Sequence, residues 1–213
     1  LLVEVICEGV PSPLYIRKLD EHVSGKYGSH IKMLDYRSKG YKESAQSFRW
    51  DFERMSLELE NGKILEKDRW FNPYWSIWLQ HLMSRPSCYE CPFTTKERQA
   101  DITLGDLWGV HIYCPELYGN NGGTSLVVCN TQKGREIWQD ARTSFVGHEL
   151  EFETALKYQG PMRKHIDPNP RRDECLQDLA DARMSYLDIC KKWAKKPTMK
   201  LLFQKYVWGN RQK

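Results

Sequence analysis

The sequence has no apolar run approaching the ~20 residues that a membrane helix requires, so a helical membrane span is excluded. Its opening, Leu1-Leu2-Val3-Glu4-Val5-Ile6, lacks a charged n-region, a long apolar stretch and a small-residue cleavage site, and does not read as a signal peptide. There is no initiator Met, and the first residues look like a core strand, so the chain reads as a fragment cut at or near a domain boundary. The phosphate loop G-x-x-x-x-G-K-[ST], the dinucleotide fingerprint G-x-G-x-x-G and the nucleophile elbow G-x-S-x-G are all missing. No internal repeat is visible. Only one C-x-x-C pair occurs and no His pair has finger spacing, so no complete zinc-finger ligand set is spelled out.

What is present is an ordinary globular balance: 213 residues, 40% apolar and 28% charged, with eight Trp, eleven Tyr and seven Phe that argue against disorder. This length suits one large domain, or one domain and an appendage. Eight of the 32 basic residues fall between Lys191 and Lys213 with no acid among them, which leaves 24 basic against 28 acidic residues elsewhere. A tail of this kind meets phosphates or an acidic partner, or is simply a solvated helical face. Because basic residues cluster only there, nucleic-acid binding is not expected. Seven Cys without a secretion signal favour thiols or metal ligands over disulfides.

Val3 to Cys7 reads as a strand, and Ser12-Pro13 starts a helix that runs to about Lys26 and ends at Tyr27-Gly28. Ile31 to Arg37 is expected as a strand, and Ser47 to Asp68 as antiparallel β structure turning at Asn61-Gly62. Asn72-Pro73 opens a helix carrying Trp75, Trp78, Leu79 and Leu82 on one face. After a turn at Gly119 to Gly123, Thr124 to Cys129 is a buried strand and Thr131 caps a helix to about Arg142. Phe145 to Phe152 is expected as one more strand. A long helix from Asp173 to about Ala194 and a last helix to Trp208-Gly209 close the chain. The class is α+β: a mixed or antiparallel sheet with packed helices, over residues 1–170, and a helical, basic extension over 171–213.

Three groups of residues carry chemical interest. Cys88-Tyr89-Glu90-Cys91 offers two thiolates on one turn, suited to one metal or one edge of an iron–sulfur cluster; two structural cysteines are the alternative. Cys7, at a strand end, is placed as ligands often are. In Asp101-Ile102-Thr103-Leu104-Gly105-Asp106-Leu107-Trp108-Gly109, two carboxylates flank a glycine-interrupted apolar stretch. Asp106 is the catalytic candidate there, and either orients a cofactor or bonds its own turn. Gly122, Gly123, Thr124 and Ser125, with Thr131 and Lys133, form either an anion nest or a plain hairpin turn.

Taken together, these segments resemble a known family in the correct order. Ile6-Cys7-Glu8-Gly9-Val10-Pro11-Ser12-Pro13, the block from Arg85 to Phe93, the block from Arg98 to Gly109, and Gly123-Thr124-Ser125 through Thr131-Gln132-Lys133-Gly134 are similar to elements in the C-terminal region of the coenzyme F-420 hydrogenase/dehydrogenase beta subunit. The likeness extends over about residues 1–175. Glu8 stands where that family's element has His, so no role of that side chain carries over.

The resemblance implies a cytoplasmic iron–sulfur and flavin oxidoreductase subunit, holding a [4Fe–4S] cluster and FAD. In methanogens the deazaflavin coenzyme F-420 is the hydride partner; its use by bacterial relatives, often encoded beside surface-polysaccharide genes, stays open. By position, Cys7, Cys88 and Cys91 would ligate the cluster, with a fourth ligand from upstream. Asp106 would lie near the redox centre, and the Gly123-Thr124-Ser125 element near a flavin or substrate phosphate. Expected partners are a ferredoxin-like segment and an N-terminal domain preceding Leu1, and a redox partner protein. The isolated fragment is expected to lack its cofactors and activity. The alternative is a non-catalytic metal-binding or partner-docking module.

Overall fold

The computed structural model describes residues 1–38, 54–117, 123–203 and 206. The expectations for residues 47–53, for the turn at 119–122 and for the end of the last helix lie outside them. In chain order the elements are β1 (Val3–Val5), α1 (Pro13–Tyr27), β2 (Ile31–Ser38), β3 (Arg54–Leu59), β4 (Ile64–Asp68), α2 (Pro73–Trp78), β5 (Ile102–Asp106), α3 (Val110–Tyr113), β6 (Ser125–Cys129), α4 (Gln132–Ala141), α5 (Phe152–Leu156), α6 (Arg172–Ala180), α7 (Tyr186–Trp193) and α8 (Met199–Phe203). The class is α+β, and the chain divides into two compact units: residues 1–9 with 86–167, and residues 10–85 with 168–213.

The first unit is built on a three-stranded mixed sheet in the order β1-β5-β6. β1 runs parallel to β5, with Val3 opposite Ile102, and β6 runs antiparallel to β5, with Asp106 opposite Ser125 and Ile102 opposite Cys129. Thr131 caps α4, its hydroxyl accepting the Gly134 amide at 3.0 Å. A Cβ at Gly134 would run into the Asp101 carbonyl oxygen, so glycine is what lets α4 lie against the segment entering β5. Leu107, Leu126 and Ala155 form a small core, flanked by Ile6, Val110 and Val128. Phe145 to Leu150 forms no strand, contrary to the sequence expectation. Its apolar residues do not alternate; Phe145 stacks on Trp138 of α4 at 5.8 Å, and Val146 is exposed.

The second unit places α1 and the α6–α7 pair with an antiparallel meander, β2-β3-β4. β3 is the middle strand and buries Met55, Leu57 and Leu59 on alternate positions, as its sequence pattern dictates. Ser12 caps α1, Pro13 is its first residue, and Gly28 closes it. α2 is shorter than expected: Trp75 packs in the core, but the helix stops at Trp78, and His81 takes a left-handed conformation with φ 56°. The single helix expected from Asp173 to Ala194 is two helices. Ser185 and Asp188 form a capping box that starts α7 afresh. Buried Lys18 donates to the carbonyls of Asp181 and Met184, at 2.8 and 2.5 Å, and so holds the break open. Leu187 is in consequence exposed, although the spacing of Leu176, Leu179, Leu187 and Cys190 would set it on the apolar face of one continuous helix.

Tyr15, fully buried, donates to the Tyr186 hydroxyl at 3.1 Å, lies edge-on to Tyr186 and is tilted against Tyr74. The Trp75 and Trp78 indoles sit 5.0 Å apart beside Tyr74. These rings pack against one another as part of this unit's core. Within the basic tail, Lys192 pairs with Glu174 and Asp178, so this part of the charge is spent inside the unit. No helix among the described residues is long and apolar enough to cross a membrane.

Candidate functional site

The cysteine segments of interest all lie in the first unit. Cys7 follows β1, is exposed, and its sulfur accepts the Gly9 amide at 3.3 Å. Cys88 ends a single 3-10 turn, Pro86–Cys88, and Cys91 is three residues further on; both are half-buried. The Cys91 carbonyl accepts the Thr94 hydroxyl at 2.8 Å, which fixes the exit of the turn. None of the seven cysteines is in a disulfide.

Arg98 ties this loop to the sheet. Its side chain is only 4% exposed, and its guanidinium donates to the Phe93 carbonyl two residues beyond Cys91 and to the Glu4 carboxylate on β1. Glu4 also accepts the hydroxyl of fully buried Thr103 at 2.7 Å, and Asn130 donates to that hydroxyl at 2.8 Å. One polar chain thus runs from the cysteine loop through β1 and β5 to the end of β6. Glu4, Arg98, Thr103 and Asn130 were not singled out from sequence. The available signal was an acid on a strand otherwise made of apolar residues, which needs a partner when covered.

The residues expected to form one anion nest are at opposite ends of β6. Thr124 and Ser125 enter the strand: Ser125 is opposite Asp106, and the Thr124 carbonyl accepts the Leu107 amide at 2.9 Å. Gly123 precedes them with φ 77°, and Gly122 lies outside the described residues. Thr131 and Lys133 stand at the far end, beside Asp101. Strand residues rise about 3.3 Å each, so the five residues of β6 keep the groups well apart.

At that far end the positive groups are already answered. Asp101 accepts the Leu2 amide at 2.9 Å and the Thr131 hydroxyl at 2.8 Å, and Lys133 is 3.6 Å away. The Leu2 amide, the Thr131 hydroxyl and Lys133 hold its carboxyl below the usual range. This is a structural clasp. At the other end, the Asp106 backbone carbonyl accepts the side-chain amide of fully buried Gln159 at 2.9 Å.

The block from Asp101 to Gly109 that forms β5 and this turn lies in the matched part of the chain: residues 1–153 fit the family described as the C terminus of the beta subunit in Coenzyme F420 hydrogenase/dehydrogenase. The chain belongs to that family. Membership assigns it a redox role of the hydrogenase/dehydrogenase beta-subunit type, as an oxidoreductase subunit. Comparison with curated proteins and with solved structures gives no match.

A cluster of the kind expected for this family takes four cysteine ligands. Among the described residues no group of three or more His, Cys, Asp or Glu is arranged to hold a metal ion. Cys7, Cys88 and Cys91, as they stand, do not make a complete cluster site.

Proposed function

We propose that this member of the beta-subunit family supplies Cys7, Cys88 and Cys91 to the cluster of an iron–sulfur and flavin oxidoreductase, with a fourth ligand coming from an upstream segment. The observation that carries the reading is the family match over residues 1–153, which contains Cys7, Cys88 and Cys91 within one compact unit. When bound, a cluster handles single electrons, and a flavin or deazaflavin couples them to hydride transfer. This chain's own residues hold the two cysteine segments in place: Thr94 fixes the loop exit, and Arg98 bridges it to β1. Asp106, the last residue of β5, is the acidic side chain proposed to lie close to the redox centre. The cytoplasm is the proposed setting.

A second reading is favoured by the lack of a three-ligand group among the described residues: a non-catalytic module whose Cys88–Cys91 pair holds zinc or nothing. Metal and acid-labile sulfide analysis of the anaerobically purified, full-length protein separates the two. Iron with sulfide in about fourfold excess over protein supports the redox reading. Zinc, or no metal after iron and sulfide reconstitution, overturns it.

A further inference from the structure

The first unit contains a cavity of about 570 Å³ lined by Ile112, Tyr113, Leu156, Tyr158, Lys157 and Arg163 among others, within the size range of small-molecule sites. Leu156 is 2% exposed. The Tyr113 and Tyr158 rings meet at 5.7 Å, inclined by 64°. Both rest on the backbone of Gly109, where φ is +87° and a Cβ would come within 2.9 Å of Tyr158 and 3.0 Å of Tyr113. The glycine closing the Asp101–Gly109 block is therefore what allows this aromatic corner to form.

The polar groups at the corner are unevenly matched. Lys96 is paired with Glu153 at 2.8 Å. Lys157, 5.7 Å over the Tyr158 ring, and Arg163 have no acidic partner among the described residues. The Tyr113 hydroxyl is shielded from solvent yet has no hydrogen-bond partner among the described residues. A buried donor left unmade is costly, and one in a cavity wall is satisfied by an acceptor that enters the cavity. Desolvation, with Tyr158 beside it, pushes the Tyr113 phenol up, so it remains a donor at neutral pH.

We propose that this cavity binds a small organic carboxylate with a flat aromatic body, the ring lying against Tyr113, Ile112 and Leu156 and the carboxylate meeting Arg163, Lys157 and the Tyr113 hydroxyl. Apolar walls supply the burial and the two cations supply the charge preference; neither alone selects this class. The site is distinct from the cysteine segments and does not rest on the redox reading.

The probe is 2-naphthoate, titrated into the full chain by calorimetry, with neutral 2-naphthalenemethanol as the matched control. Binding of the carboxylate is expected at least tenfold tighter than binding of the alcohol. Tyr113→Phe and Arg163→Gln are each expected to weaken it about tenfold, the loss of one charge-assisted hydrogen bond. Thermal melts check that Tyr113→Phe is folded; if it is not, Arg163→Gln, at an exposed position, decides alone. No binding at millimolar naphthoate, equal binding of the alcohol, or an affinity untouched by the folded variants overturns the assignment.

Discussion

Arg98 and Glu4 lie 94 residues apart in sequence and form one nearly buried ion pair that joins the cysteine loop to β1. The same guanidinium holds the Phe93 carbonyl, so a single side chain spans the two segments that carry Cys7 and Cys91.

Removing it leaves a partly covered carboxylate and a backbone carbonyl without their donor. Arg98→Ala is expected to lower stability by roughly 3 kcal/mol, since breaking one side of a buried pair is strongly destabilising. Arg98→Lys is expected to retain part of this, having the charge without the two-armed geometry. Urea unfolding followed by tryptophan fluorescence measures both, and equal stability of all three proteins would show the bridge to be idle.

Gly134→Ala is expected to cost about 1–3 kcal/mol, because its methyl group meets backbone at Asp101 and not a side chain that can swing away. Thr131→Ala at the same helix start is expected to cost about 1 kcal/mol as a lost cap. The two residues share α4, so a double variant whose loss falls short of the sum reports their coupling.

These contacts also mark how far the sequence could be read. Elements with local instructions were legible: the Ser12-Pro13 start of α1, the alternation of β3 and the Asn61-Gly62 turn. The break between α6 and α7 was legible in principle, as Ser185-x-x-Asp188, but the apolar periodicity of Leu176, Leu179, Leu187 and Cys190 ran across it. The carbonyls at the break depend on Lys18, more than 160 residues away, which no local pattern reveals. The expected nest residues meet the same limit: Thr124 and Thr131 are near in sequence, but the extended strand β6 lies between them. The cavity corner draws Tyr113 from the end of α3 and Tyr158 from the turn after α5, and nothing in either segment announces the other.

Acid should loosen the second unit. Arg171 and Lys192 lower the Glu174 carboxyl to about 2, and Arg183 lowers Asp181 to about 2. Folded values below the unfolded ones mean that both contributions are complete above the ordinary carboxylate range and fade as pH falls toward 2. The thermal midpoint is expected to drop between about pH 4.5 and pH 2, and Glu174→Gln to flatten part of that slope. A slope unchanged in Glu174→Gln would exclude this pair as a source.

Thiol reactivity should divide the cysteines by location. Burial pushes the Cys175 thiol up to about 12, and that residue has no exposed surface, whereas Cys7 is exposed. Brief iodoacetamide treatment of the native protein at pH 8 is expected to label Cys7 and spare Cys175, as read by peptide mass spectrometry. Labelling of both at similar rates would mean that the second unit opens readily.

The pairing of Val3 with Ile102 places 98 intervening residues between neighbours in one small sheet. Most of that interval belongs to the second unit, which in turn takes Cys175, Leu179, Ile189 and Trp193 into its core from beyond residue 167. Each unit is therefore interrupted by the other along the chain. No single cut releases either one whole, and the nascent polypeptide must hold an unpaired β1 until β5 is made, with the long loop closure that slows folding.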